Sequence, residues 1–320
     1  NTTASATATI SQRPITVSAL SDTKVYDGGT SSSKTPTISS GTIATGDTAN
    51  FSQAFATKTV GTGKTLIPSG SVSDGNSGNN YTVTFLNNMT GVISAKPLTV
   101  AGITAANKPW DGNTSATINT GGASLVGVVG GDAVLINTAG ASGAFTSPNV
   151  GTCTVQISGL AIAGADSGNY SLTQPTATAC IGAWYATGFY APVGIGNSEY
   201  VTSGSPVPTI SPVSTMWNTA KGGSTIPLKF NLYSSQGGAE RTSVADVAGF
   251  TALRLTCATG EGLDEVDFVT TGSTSLRYDG SGGQFVQNWK TPTASTDQCY
   301  RVNVTFLDGS GIYAFFRLRK

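Results

Sequence analysis

Lys24-Val25-Tyr26-Asp27-Gly28-Gly29-Thr30 returns later in the chain as Lys108-Pro109-Trp110-Asp111-Gly112-Asn113-Thr114. Outward from this motif, Val60-Gly61-Thr62 returns as Val150-Gly151-Thr152, and Asn80-Tyr81-Thr82-Val83 as Asn169-Tyr170-Ser171-Leu172. The offsets are 84, 90 and 89 residues. A repeat of that length is a whole small domain rather than one turn of a solenoid. Tandem copies of a domain set length and spacing, and chemistry rarely needs the same module twice in a row.

The repeats read as strands. Cys153, Val155 and Ile157 alternate with Thr152, Thr154 and Gln156, and Val302, Val304 and Phe306 alternate with Arg301, Asn303 and Thr305. Alternation of this kind marks half-buried strands. Turn clusters such as Asp74-Gly75-Asn76-Ser77-Gly78 and Asp308-Gly309-Ser310-Gly311 separate them. Short strands with such turns predict an all-β chain of three tandem immunoglobulin-like β-sandwich domains, at 13–96, 97–183 and 184–320, preceded by an unpaired strand at 1–12. Asp166-Ser167-Gly168-Asn169-Tyr170, and its counterpart ending at Tyr81, read as tyrosine corners, with the ring buried and the hydroxyl bonded back to nearby backbone.

Composition excludes whole classes of function. The chain has 320 residues, 17 basic and 17 acidic side chains and no histidine. Zero net charge argues against nucleic acid and anionic membrane surfaces as partners. Without histidine there is no Ser-His-Asp or Cys-His machinery and no ordinary zinc site. No apolar run is long enough to span a bilayer. No enzyme activity, cofactor or metal is implied.

Four cysteines fall as two pairs, Cys153 with Cys180 inside the second repeat and Cys257 with Cys299 beyond it. The first repeat has Gly63 and Val92 at the positions matching Cys153 and Cys180. Loss of both partners together is what a disulfide predicts, and disulfides favour an extracellular or cell-surface setting.

The repeats resemble the YDG-type repeats of bacterial surface and adhesin-like proteins. The residues that carry this are Lys24 to Gly28, Lys108 to Gly112, Val129-Gly130-Gly131-Asp132, and the run from Gly159 to Leu172. Trp110 departs from the family's tyrosine and Gly29 from its usual threonine. The resemblance implies extracellular spacer domains with no catalytic residues. From Trp184 onward, Gly188 to Val193, Ile226-Pro227-Leu228-Lys229-Phe230 and Leu276-Arg277-Tyr278-Asp279 resemble the PxKF-type domain that ends many secreted bacterial proteins.

The opening of the chain resembles the end of a repeat. Thr9-Ile10-Ser11-Gln12-Arg13-Pro14 matches Val92-Ile93-Ser94-Ala95-Lys96-Pro97. Two explanations compete: an upstream repeat lies outside the sequence, or the strand, with Ala4, Ala6, Ala8 and Ile10 as its apolar face, completes a sheet in a neighbouring subunit. The second would make a head-to-tail homopolymer.

Other candidates are weaker. Asp27 and Asp111, each three residues after a lysine, read as turn residues; a calcium site and a Lys–Asn amide crosslink are the sharper alternatives. Glu261, Asp264, Glu265 and Asp267 read as a solvated run. The expected function is an extracellular bacterial filament or adhesin-stalk subunit. The alternative is a module that binds a carbohydrate or surface ligand through aromatics such as Trp217 or Trp289.

Overall fold

A computed structural model of the chain describes residues 10–194, 198–201, 217–271 and 274–320. Ala4, Ala6 and Ala8 of the expected opening strand lie outside the described residues. Ile10 is described and is 95% exposed. The described residues are all-β, with only two single-turn 3-10 segments, Ser167–Asn169 and Val244–Asp246.

In the first repeat the alternation Ile15-Thr16-Val17 turns the apolar side chains inward from the strand Arg13–Ser18. This strand lies between Thr37–Ser40 and Tyr81–Leu86, antiparallel to the former and parallel to the latter. The chain then crosses to the second sheet, ordered Thr23–Val25, Asn88–Ser94, Gly61–Ser73 and Thr48–Phe55. There Thr23–Val25 runs parallel to Asn88–Ser94, which places Tyr26 at the far end of the repeat from Tyr81.

The second repeat copies this plan. Lys96–Ala101 lies between Ser124–Val126 and Tyr170–Leu172, and Lys108–Pro109 runs parallel to Ile181–Gly182. The long antiparallel pair of the first repeat is broken here into shorter strands, Leu135–Asn137 and Ser142–Phe145 on one side, Thr154–Ser158 and Ala161–Ala163 on the other. The break comes where Gly159 (φ +76°) meets Gly140. A Cβ on Gly159 would stand 2.0 Å from the Gly140 carbonyl oxygen, so only glycine fits.

The cores do not respect the repeat boundaries. One end of the first repeat packs Ile15, Val17, Val72 and Tyr81 together. The other end packs Ala19, Tyr26, Phe55, Leu66 and Ile93 into one cluster with Leu98 and Tyr170 of the second repeat. The second repeat's own far end, with Phe145, Val155, Ala179 and Ile181, includes Trp110, which also packs against the core of the C-terminal region. The chain accordingly divides into two compact units inside the second repeat. One unit is Asn1–Ile103, Thr120–Ala141 and Ile157–Pro175; the other is Thr104–Asn119, Ser142–Gln156 and Thr176–Lys320.

The C-terminal region is a two-sheet sandwich. One sheet contains Tyr185–Gly188, Thr225–Tyr233, Gln284–Lys290 and Arg277–Asp279; the other contains Ser198–Val201, Gly311–Arg319, Gln298–Phe306, Val247–Leu255 and Gly262–Val266. Phe230, Phe285 and Trp289 from the first meet Val302, Phe306 and Phe316 from the second. Burying each such side chain contributes about 1.5–3 kcal/mol. The acidic run at Glu261, Asp264, Glu265 and Asp267 surrounds the edge strand Gly262–Val266, where charge discourages pairing with another chain.

Candidate functional site

Asp132 is the hub of the first joint. It sits on the loop after Val129, whose carbonyl oxygen accepts the Asp132 backbone N–H at 3.2 Å. The Tyr170 hydroxyl, from the same repeat, donates to Asp132 Oδ2 at 2.6 Å and accepts the Val129 backbone N–H at 3.0 Å. The Tyr26 hydroxyl, from the first repeat, donates to the same Oδ2 at 2.8 Å. The two rings meet edge to face at 5.4 Å. Lys58 Nζ lies 3.7 Å from Oδ1, although its half-exposed ammonium adds little to stability. The Asp132 side chain is only 5% exposed.

The electrostatics follow from this arrangement. Burial, and then the hydrogen bond to Asp132, pushes the Tyr26 phenol up to about 12 from 10.0. The same two causes, in the same order, push Tyr170 up to about 12. The hydrogen bond from Tyr170 leads in holding the Asp132 carboxyl below its ordinary 3.8; burial opposes it, and the Tyr26 bond and Lys58 add to it. Two neutral phenols donating to one carboxylate form charge-assisted bonds, stronger than neutral pairs. Nearby, the Val60 backbone N–H donates to Asn169 Oδ1 at 3.1 Å, and a Cβ on Gly28 would meet Val129 Cγ1 at 2.8 Å. The fit is close enough that the glycine of the motif is required.

The second joint uses the equivalent position differently. Trp110, standing where the first repeat has Tyr26, meets Trp184 edge to face at 5.1 Å. Trp184 Nε1 donates to the Trp110 carbonyl oxygen at 2.8 Å, and the Trp184 backbone N–H to Asp308 Oδ2 at 2.6 Å. The Arg241 guanidinium stacks 3.9 Å above the Trp184 ring while Asp246 holds it through two hydrogen bonds, at 2.9 and 3.0 Å. Each motif aromatic therefore fastens its own repeat to residues that follow it.

A YDG domain matches residues 11–90 and again 94–179, together just over half of the sequence. The chain belongs to the YDG domain family. No curated protein matches the sequence. Among solved structures, the titin domains z1z2 in complex with telethonin align at 12% identity over 70% of this chain and 93% of that chain, with a TM-score of 0.21. A fragment of the titin I-band aligns at 7% identity over 95% and 96%, with a TM-score of 0.20. Scores of this size do not define a shared fold, and the β-sandwich assignment rests on the sheet topology.

Within the YDG repeats the remaining sequence candidates take these places. Tyr81 and Tyr170 are buried, and each hydroxyl reaches backbone far upstream rather than close by, at Ala44 (2.7 Å) and Val129. Each also donates to an aspartate, Asp47 at 2.5 Å in the first repeat. The role of Asp47 and Asp132 escaped the sequence reading. Its signal was there: an aspartate recurring after Gly46 and Gly131 at the repeat spacing.

Both disulfides form as expected, Cys153–Cys180 and Cys257–Cys299. Lys24 pairs with Asp27 at 2.8 Å and Lys108 with Asp111 at 2.7 Å, each ammonium 5.6 Å from the centre of a phenylalanine ring, Phe55 or Phe145. The hydrogen bond from Lys24 leads in lowering the Asp27 carboxyl. These are half-exposed carboxylates bracing a turn. The Lys108 side chain is only 16% exposed and its ammonium donates to Asn113 Oδ1 at 2.9 Å, but Asp111 is half-exposed and Asn113 exposed, so this turn does not enclose the carboxylate and amide that a crosslink needs. No cluster of three or more potential metal ligands exists among the described residues. Trp289 is fully buried, so it cannot present its ring to a ligand; Trp217 is half-buried, edge to face with Phe315 at 5.7 Å.

Proposed function

We propose that the chain is a section of an extracellular stalk or filament, exported by a bacterium, in which three tandem immunoglobulin-like sandwiches transmit load along one polypeptide. The C-terminal region would be of the PxKF type. The observation that carries this reading is the shared Asp132 carboxylate, which takes one phenol from each YDG repeat. A flexible string of binding modules has no need of a buried carboxylate between domains. Two disulfides fit an oxidising compartment, and no helix among the described residues is long and apolar enough to cross a membrane.

Single-molecule pulling between the chain ends tests the proposal. The native chain should lengthen only when a domain unfolds, and Tyr26→Ala should add an early, low-force extension as the first joint opens. A native chain whose domains already separate at low force would sink the mechanical reading. Whether such chains also polymerise head to tail through residues 1–12 is decided by electron microscopy. Polymers lost on deleting those residues make the chain a filament subunit; otherwise it is a stalk section. Binding on a glycan array that Trp217→Ala abolishes would favour the ligand-binding alternative.

A further inference from the structure

The first repeat carries the same socket as the second, without its plug. The Ala44 N–H donates to the Tyr81 hydroxyl at 2.7 Å, Tyr81 donates to Asp47 Oδ2 at 2.5 Å, and the Asp47 N–H donates to the Ala44 carbonyl oxygen at 3.2 Å. Bond for bond, this is the Val129–Tyr170–Asp132 arrangement. In the second repeat a further phenol, Tyr26, seats on the aspartate and Lys58 faces its other oxygen. Among the described residues nothing of the kind reaches Asp47, and Ala44 is exposed where Val129 is half-buried. The cluster around Ile15, Val17 and Tyr81 likewise stands alone, whereas its counterpart around Leu98 and Tyr170 merges with the end of the preceding repeat.

We infer that the Ala44–Asp47–Tyr81 socket receives the aromatic turn of another YDG domain, joined ahead of this one in the same polypeptide. A second copy of this chain cannot supply that turn, because its Tyr26 is 1% exposed on Asp132 and its Trp110 is packed against Trp184. The inference rests on the joint's geometry and extends the stalk reading by naming what each end accepts.

The test adds the inferred neighbour ahead of residues 12–320. A copy of residues 11–94 is placed ahead so that its Ser94 takes the position of Ser11, preserving the connection that links the two natural repeats. A double-mutant cycle then combines Tyr26→Phe in the added copy with Asp47→Asn in the original first repeat. Local opening is read from amide exchange in Arg13–Ser18 and Tyr81–Leu86, so that the effect of Asp47→Asn on Tyr81 itself cancels. The expected coupling is about tenfold or more in the opening constant. Additive effects would overturn the inference, as would a concentration-dependent dimer of the unextended chain that Asp47→Asn abolishes. The same cycle at Tyr26 and Asp132 in the natural chain separates the failures: coupling there without coupling at Asp47 sinks the socket alone, and coupling at neither sinks the joint.

Discussion

The Tyr26 hydroxyl and the Asp132 carboxylate stand 106 residues apart in sequence and 2.8 Å apart in the structure, each in a different YDG repeat. Around them a single cluster takes side chains from both repeats. The junction between these repeats is thus built like the interior of a domain, with a buried polar pair fixing its geometry. A buried pair of this kind specifies one arrangement, because any other leaves the carboxylate without its donors.

Removing the hydroxyl alone should weaken the joint without emptying it. Tyr26→Phe keeps the ring against Tyr170 but deletes a hydrogen bond to a charged group, a loss of about 1.5–3 kcal/mol. Tyr26→Ala also leaves a cavity and should cost about 3–5 kcal/mol. Urea titration followed by amide exchange in Asn88–Ser94 reads both, and equal losses for the two variants would mean the hydroxyl contributes everything and the ring nothing.

Alkaline pH should open the same joint. Tyr26 and Tyr170 ionise near 12 in the folded chain against 10.0 for a free phenol. A raised value means that the folded state favours the neutral phenol, so this stabilisation is complete below pH 10 and is lost as pH rises toward 12. Asp132 has a lowered value, so its contribution is present above the ordinary 3.8 and is lost as pH falls through the folded value. Tyrosinate absorbance against pH should show late-titrating groups, Tyr26 and Tyr170 among them, together with Tyr233, Tyr278 and Tyr300, which burial also raises. In Asp132→Asn two of these groups should titrate earlier, since one cause of the shift at Tyr26 and Tyr170 has gone.

The second joint should depend on ring packing more than on charge. Trp110→Ala removes an edge-to-face partner of Trp184 and should destabilise the C-terminal unit by about 3–5 kcal/mol. Arg241→Lys keeps the charge but loses the flat stacking surface and the paired donors to Asp246, a smaller loss of about 1–2 kcal/mol. Tryptophan fluorescence during denaturation follows both, and a larger effect for Arg241→Lys would reverse this order.

Reduction of the disulfides should act on one unit only. The bridged segments close loops of 27 and 42 residues. Each bridge contributes about 3–4 kcal/mol in the chain-entropy model. Because all four cysteines belong to the unit that includes Thr176–Lys320, reductant should lower the stability of that unit and leave the strands around Tyr26 and Tyr170 unchanged by amide exchange.

Much of the fold was legible because it is local. Alternation at Cys153 to Ile157 announces a strand, and the joint absence of Cys153 and Cys180 from the first repeat announces a bridge. The joints were not legible for the opposite reason. Tyr26 and Asp132 are far apart in sequence, and no local pattern around either one names the other. Trp110 stands where the family has tyrosine, and only the fold shows why: its neighbour is Trp184 rather than an aspartate, and a ring without a hydroxyl suits it. The partners of Tyr81 and Tyr170 were placed too close in sequence because parallel pairing of the first strand with Tyr81–Leu86 brings a distant loop to the hydroxyl, and parallel pairing leaves no hairpin signature.

The most direct measurement is a double-mutant cycle of Tyr26→Phe with Asp132→Asn in the intact chain, read by amide exchange in Asn88–Ser94 and Tyr170–Leu172. A coupling of about 1.5 kcal/mol or more is predicted for a hydroxyl and a carboxylate that meet between two repeats. Effects that add within about 0.5 kcal/mol would contradict it, leaving two YDG domains that touch without being joined.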